Sequence, residues 1–232
     1  MSLIMKQCQI LVILGMVLLL PIWSSCSSSD DEPKTPPKQG RIPSVSEAID
    51  LGIGVKFAPH NLGASKPEEF GDYYAWGETE PKESFTWANY KWCNGTDDSM
   101  TKYCDDAYYG TVDNLKVLEE ADDAASVQWG QEWRIPSDEL FYDLYHKCKW
   151  KWTTLNDVNG YKVTGPNGNS IFLPAAGFGG KEQGKGMKGL YWYRELNVSD
   201  CEGRAIEFGP SQYVLGGCEY RKAGASIRPV CD

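Results

Sequence analysis

One stretch narrows the possible folds of this chain more than any other: Gly130-Gln131-Glu132-Trp133-Arg134-Ile135-Pro136-Ser137-Asp138-Glu139-Leu140, with the helix it opens. Ser137 is a good N-cap, because its hydroxyl accepts from an unpaired amide of the first turn. Asp138 and Glu139 then sit at the positive end of the helix dipole. Pro136 favours an extended approach, so the chain runs strand-like through Trp133-Arg134-Ile135 and turns into a helix. Leu140, Phe141, Leu144, Tyr145 and Cys148 recur at helical spacing and give one apolar face. That face ends at Cys148, and the last residue but one of the chain is Cys231. A bridge between them is expected to close the domain as a loop.

The front of the chain reads as a leader, residues 1–25. Lys6 precedes an apolar run from Ile10 to Ile22, too short for a comfortable membrane span, which needs roughly 20 apolar residues. The run leads to Trp23-Ser24-Ser25-Cys26. This resembles a bacterial lipoprotein signal, in which Cys26 becomes the lipidated N-terminus. Residues 26–45 follow as a tether, with Ser27 to Ser29, Asp30, Asp31 and Glu32 and then Pro33, Pro36 and Pro37. Such a composition buries no core. An acidic cluster just behind the lipidated cysteine resembles the surface-export signal of Bacteroidetes lipoproteins. It implies a protein facing outward on the outer membrane, held there by the lipid anchor alone.

Residues 46–232 are enough for one sizeable domain. Lys6 is the one charged residue before Cys26, which leaves 22 Lys and Arg against 32 Asp and Glu, a net charge of −10. An acidic surface of this kind argues against nucleic acid and anionic lipid as partners. Six cysteines remain after Cys8 and Cys26 are set aside, and in an exported chain an even number points to disulfides. Order and loop content favour Cys93–Cys104 around a polar loop, Cys201–Cys218 across a hairpin, and Cys148–Cys231 as the long closure. No C-x-x-C pair is present, and His60 and His146 are the only histidines, so a zinc site is disfavoured.

Along the chain, Asp50 to Ala58 alternates as a first strand, turned at Asn61 to Ala64. Phe70 to Glu78 is aromatic packed coil, and Phe85, Trp87, Tyr90 and Trp92 lead into the polar loop. The stretch from Asp105 to Gln128 is acidic, with few core residues. Trp150 to Thr154 and Tyr161 to Thr164 form a hairpin about Asn156 to Gly160. Short strands at 171–177, 190–193, 205–208, 213–215 and 225–230 complete a meander. No repeat period is visible.

Three passages resemble one family together. They are Leu51 to Trp76 with Gly71-Asp72-Tyr73-Tyr74-Ala75-Trp76-Gly77, the Trp133-Arg134-Ile135-Pro136-Ser137 turn, and Asn169 to Gly177 with the closing Ser226-Ile227-Arg228-Pro229-Val230-Cys231. The set resembles the major paralogous domain first named from Fibrobacter and abundant in Bacteroidetes lipoproteins. That domain is similar to the C-type lectin fold. The resemblance implies an α+β, disulfide-bridged body in which short helices pack on a small, mainly antiparallel sheet with long loops. Cys148–Cys231 and Cys201–Cys218 fit its bridging scheme. The same fold carries the variable proteins of diversity-generating retroelements and the formylglycine-generating enzymes, so it does not settle function. Members of the family commonly carry Tyr-Trp-Ser-Ser where this chain has Tyr191-Trp192-Tyr193-Arg194, a change that implies altered specificity.

Catalysis has little support in the sequence. There is no nucleophile elbow, P-loop or H-E-x-x-H motif; His60 sits in a turn and His146 on the outer side of the helix. An oxidase like the formylglycine-generating enzymes would need reactive thiols. No cofactor is implied. Oxygen-rich loops at Asp113-Asn114 and Glu119 to Asp123 are candidates for a structural calcium, weighed against a solvated acidic loop.

The candidate binding face is aromatic and polar: Tyr191, Trp192, Tyr193, Arg194, Glu195 and Asn197, then Ser211, Gln212 and Tyr213, then Glu219, Tyr220, Arg221 and Lys222. Tyr, Trp and Arg among short polar neighbours resemble a paratope, and flat aromatics also suit carbohydrate faces. Trp192 and Tyr213 have a core reading beside this one, whereas Arg194, Glu195, Arg221 and Lys222 are expected to be exposed. The reading is a non-catalytic surface lipoprotein binding a protein or glycan. The alternative is a structural or assembly component of a surface appendage.

Overall fold

In the computed structural model, which describes residues 40–179 and 183–232, Ser137 caps the expected helix. Its hydroxyl accepts from the Leu140 amide at 3.2 Å. The described residues include two α-helices, α1 Ala124–Trp129 and α2 Asp138–Lys147. α2 buries Leu140, Phe141 and Leu144, the face its spacing dictates. The leader, Cys26 and the first part of the tether lie outside the described residues. Arg41, within the expected tether, donates its amide to the Ala64 carbonyl at 3.0 Å, and a single 3-10 turn follows at Val45–Glu47.

Among the described residues, nine strands form three small antiparallel sheets, so the body is α+β. The expected first strand is in fact two: β1 Ile49–Asp50 and β2 Lys56–Phe57, which fold back on each other. Gly52 and Gly54, at φ 77° and 105°, allow the reversal. β2 also pairs with β9 Val230–Cys231 near the chain end. The second sheet is β3 Lys149–Leu155, β4 Val158–Thr164 and β5 Ser170–Pro174. Asn156 and Asp157 turn β3 into β4 with φ of 45° and 65°, a twist that suits a two-residue hairpin. The third sheet is β6 Gly189–Leu196, β7 Glu202–Gly209 and β8 Gln212–Tyr220.

β6 is the centre of the packing. Leu190 and Trp192 point into one apolar cluster, which also holds Trp76 and Trp133. Tyr191 and Tyr193 point into the other, with Phe57, Phe141, Leu144 and Phe208. Both faces of the strand are therefore buried, and residues 116–118 run along its edge, the Leu118 amide donating to the Arg194 carbonyl at 2.9 Å. The acidic stretch is richer in core residues than its composition suggests: Leu118, Ala124 and Ala125 are buried. Asp123 caps α1 through the amides of Ala125 (2.9 Å) and Ser126 (3.1 Å) and also accepts from the Ile135 amide at 2.9 Å. Burial pushes its carboxyl above the ordinary range.

All six cysteines after Cys26 are free thiols in this structure, and alternation along the strands bears on the expected pairings. Val230 and Cys231 are consecutive, so their side chains point to opposite faces. Val230 packs in the cluster that Cys148 borders, while Cys231 packs in the other. Cys218 lies opposite Arg204 and is exposed, whereas Cys201 is buried, one residue before the Glu202–Tyr220 pair and on the other face. Cys93 and Cys104 do border one cluster, together with Cys201.

Candidate functional site

Tyr220 and Arg221 are neighbours at the end of β8, and alternation sends them to opposite environments. Tyr220 is 44% exposed and Arg221 is fully buried. The Arg221 guanidinium donates from Nε to Tyr90 Oη at 2.8 Å, and from Nη1 to the carbonyls of Tyr103 (3.0 Å) and Asp200 (2.9 Å). Nη2 reaches the Lys102 carbonyl at 2.9 Å, and Cζ lies 5.0 Å from the Trp76 ring. These four oxygens satisfy the buried cation without a carboxylate among them. Arg221 is expected to contact ligand; here it ties the loops around residues 90, 103 and 200 together.

The β6 portion of the expected face is likewise interior. Tyr191, Trp192 and Tyr193 are at most 1% exposed. Tyr191 Oη donates to the Pro174 carbonyl at 2.8 Å, Trp192 Nε1 to the Tyr74 carbonyl at 2.7 Å, and the Tyr193 ring stacks on Phe141 at 4.5 Å. Tyr193 therefore serves packing against α2. Arg194 is half-buried, its Nη2 donating to the Leu118 carbonyl at 3.2 Å. Glu195 accepts the Asp138 amide at 2.9 Å and so completes the start of α2; burial raises its pKa. Asn197 holds the β6–β7 turn through Glu202 Oε2 at 2.8 Å.

Ser211, Gln212 and Tyr213 lie at the far end of the sheet. β7 has eight residues, which separates the two ends by about 25 Å. Ser211 is exposed and lines its own cavity of about 440 Å³ with Met187, Glu207 and Pro210. The side chains of Gln212 and Tyr213 lie outside the described residues.

Glu219, Tyr220 and Lys222 remain accessible together, and the loop around Trp87 joins them. The Trp87 and Tyr220 rings meet edge-on at 5.8 Å, and Lys222 Nζ lies 5.7 Å from each centroid. Beside them is a cavity of about 330 Å³ whose lining includes Glu83, Phe85, Thr86, Phe178, Glu219 and Lys222. Gly224 makes room for Phe85: a Cβ there would stand 2.5 Å from its ring. Phe85 and Trp87 are expected only in the approach to a polar loop, and the structure adds them to the site. Their aromatic spacing was the available signal.

The oxygen-rich loops are occupied internally. The Asp113 carboxylate accepts the amides of Tyr103 (2.8 Å), Cys104 (2.9 Å) and Leu115 (3.0 Å). Asp122 pairs with Lys102 at 2.6 Å and accepts from Tyr103 Oη at 2.7 Å. Burial pushes the Asp122 carboxyl up, but these donors outweigh it and hold the group below its ordinary range. Among the described residues, no cluster of three or more His, Cys, Asp or Glu is arranged to hold a metal ion. His60 is buried, with its ring edge-on to Trp129 at 5.5 Å. His146 is exposed beside Tyr142. Comparison with protein-family models, curated proteins and solved structures gives no match to this chain.

Proposed function

We propose that this protein is a non-catalytic surface lipoprotein of the major-paralogous-domain kind, with a C-type lectin-like body. It binds a protein or carbohydrate ligand at the Trp87, Tyr220 and Lys222 end. The observation that carries this reading is the accessible Trp87–Tyr220 pair with an ammonium beside it and a cavity alongside. Aromatic rings with a cation give large contact area at small ordering cost, and they suit both peptide and sugar faces. The buried Arg221 network beneath keeps the surface preorganised, which lowers the cost of binding. The leader, Cys26 and the acids behind it support anchoring on the outer membrane. A glycan array and a pull-down from host and bacterial surfaces test the reading. Tyr220→Ala and Lys222→Ala should each weaken a captured ligand at least tenfold; unchanged affinity in both variants rules this surface out.

One observation favours an assembly role as the second reading. β8 is the last strand of its sheet, and among the described residues no strand pairs along its outer edge. An open edge accepts a further strand. Recovery of the protein in sheared surface appendages would distinguish this role from ligand capture.

A further inference from the structure

Cys93, Cys104 and Cys201 border one small cluster with Ala75, Tyr90 and Met100. Hydrogen bonds fasten two of the three to the same place. Arg221 Nη1 donates to the carbonyls of Tyr103 and Asp200, at 3.0 Å and 2.9 Å. Those peptide groups immediately precede Cys104 and Cys201. The Asp200 carboxylate accepts the amides of Asp105 and Asp106, both at 2.8 Å, and these immediately follow Cys104. The chain on both sides of Cys104 is thus fixed to the residue before Cys201. Both side chains are buried, and Cys201 faces inward on the same side as Arg221. All three sulfurs have a contact within their own turn, Cys104 with the Asp106 carbonyl at 3.2 Å and Cys201 with Ser199 Oγ at 3.1 Å. Among the described residues, however, no hydrogen bond fastens the Cys93 turn to the residue before Cys201. The Cys93 sulfur meets its own turn. It accepts from the Gly95 amide at 3.4 Å and lies 3.3 Å from the Trp87 carbonyl.

We propose that Cys104 and Cys201 form a disulfide in the oxidised protein. The bond joins the loop that carries Tyr108, 72% exposed, to the β6–β7 turn that carries Val198, 89% exposed, and so braces the end of the molecule proposed to bind ligand. The oxidant is a disulfide, either a small molecule such as oxidised glutathione or an oxidoreductase. The Cys201 thiolate attacks one of its sulfurs, forms a mixed disulfide and releases one thiolate. The Cys104 thiolate then attacks the Cys201 sulfur and expels the second thiolate. Two protons leave the protein, and the oxidant ends as two thiols. Burial raises both thiol pKa values, that of Cys104 to about 11, with the Asp200 carboxylate beside it adding to the effect. Exchange is therefore slow in the folded protein and fastest while the chain folds.

The inference depends on export only for its oxidant, so the test supplies one. The chain is refolded in a reduced and oxidised glutathione mixture, remaining thiols are alkylated, and peptides are mapped without reduction. A linked Cys104–Cys201 peptide is expected, with Cys93 alkylated. Cys93 linked to either partner, or both thiols alkylated at every glutathione ratio, overturns it. Reduction should lower the Tm by about 10 °C. Cys93→Ser should leave the linkage and that shift unchanged; loss of the linkage in this variant also overturns the pairing. Protein taken from cells with both thiols free, yet forming the bond in glutathione, would contradict export and leave the pairing standing.

Discussion

Two stretches of this molecule share one chemistry and have opposite fates. Tyr191-Trp192-Tyr193-Arg194 and the Trp87, Tyr220 and Lys222 group each combine tyrosine, tryptophan and a cation. The first is interior on both faces of β6, because each side of that strand has a cluster to fill and residues 116–118 cover its edge. The second lies where a loop meets the end of β8, with solvent on one side. A paratope-like composition therefore carries no information about exposure; strand position decides it. Arg221 and Lys222 make the same point one residue apart, the first wholly buried and the second half-exposed.

The sharpest way to break this contrast is Arg221→Ala. It strands four oxygen acceptors and opens a void, so a loss of about 4 kcal/mol is expected in urea unfolding. Hydrogen exchange should quicken at 102–106 and 199–201 in the same variant. A loss below about 1 kcal/mol would place Arg221 at the surface. Tyr193→Ala removes the stack on Phe141 and should cost about 3 kcal/mol, the behaviour of a core aromatic.

Asp122 sharpens the comparison through pH. Its folded-state pKa is held low, so its contribution is complete above the ordinary carboxylate range and is lost as pH falls through the folded value. Asp122→Asn should therefore cost about 2 kcal/mol at neutral pH, and the gap from the parent should narrow in acid. A gap that stays constant from pH 7 to pH 3 would contradict the pairing with Lys102. Tyr220→Ala should have the smallest effect on stability, under about 0.5 kcal/mol, while weakening ligand capture at least tenfold.

Much of the local structure is legible in the residues. The Ser137 cap, the apolar face of α2 and the β3–β4 hairpin follow from propensities a few residues apart. The split of the first strand is not legible in this way, because β1 and β2 are two residues each and β2 is held by β9 at the far end of the chain. Arg221 is hidden for the same reason: its acceptors come from residues 90, 102, 103 and 200. An arginine reads as surface until the fold brings oxygens to it. Order along the chain does not decide which face of a strand a sulfur occupies, so it leaves the cysteine pairings open. About half of the accessible site, Phe85 and Trp87, comes from a loop with no periodicity to mark it.

Hydroxyl-radical footprinting of the native protein tests the central assignment of inside and outside most directly. Trp87, Tyr108 and Tyr220 should be modified rapidly, while Tyr191, Trp192 and Tyr193 stay protected until the protein unfolds. Modification of Trp192 or Tyr193 at the rate of Tyr220 would contradict the account.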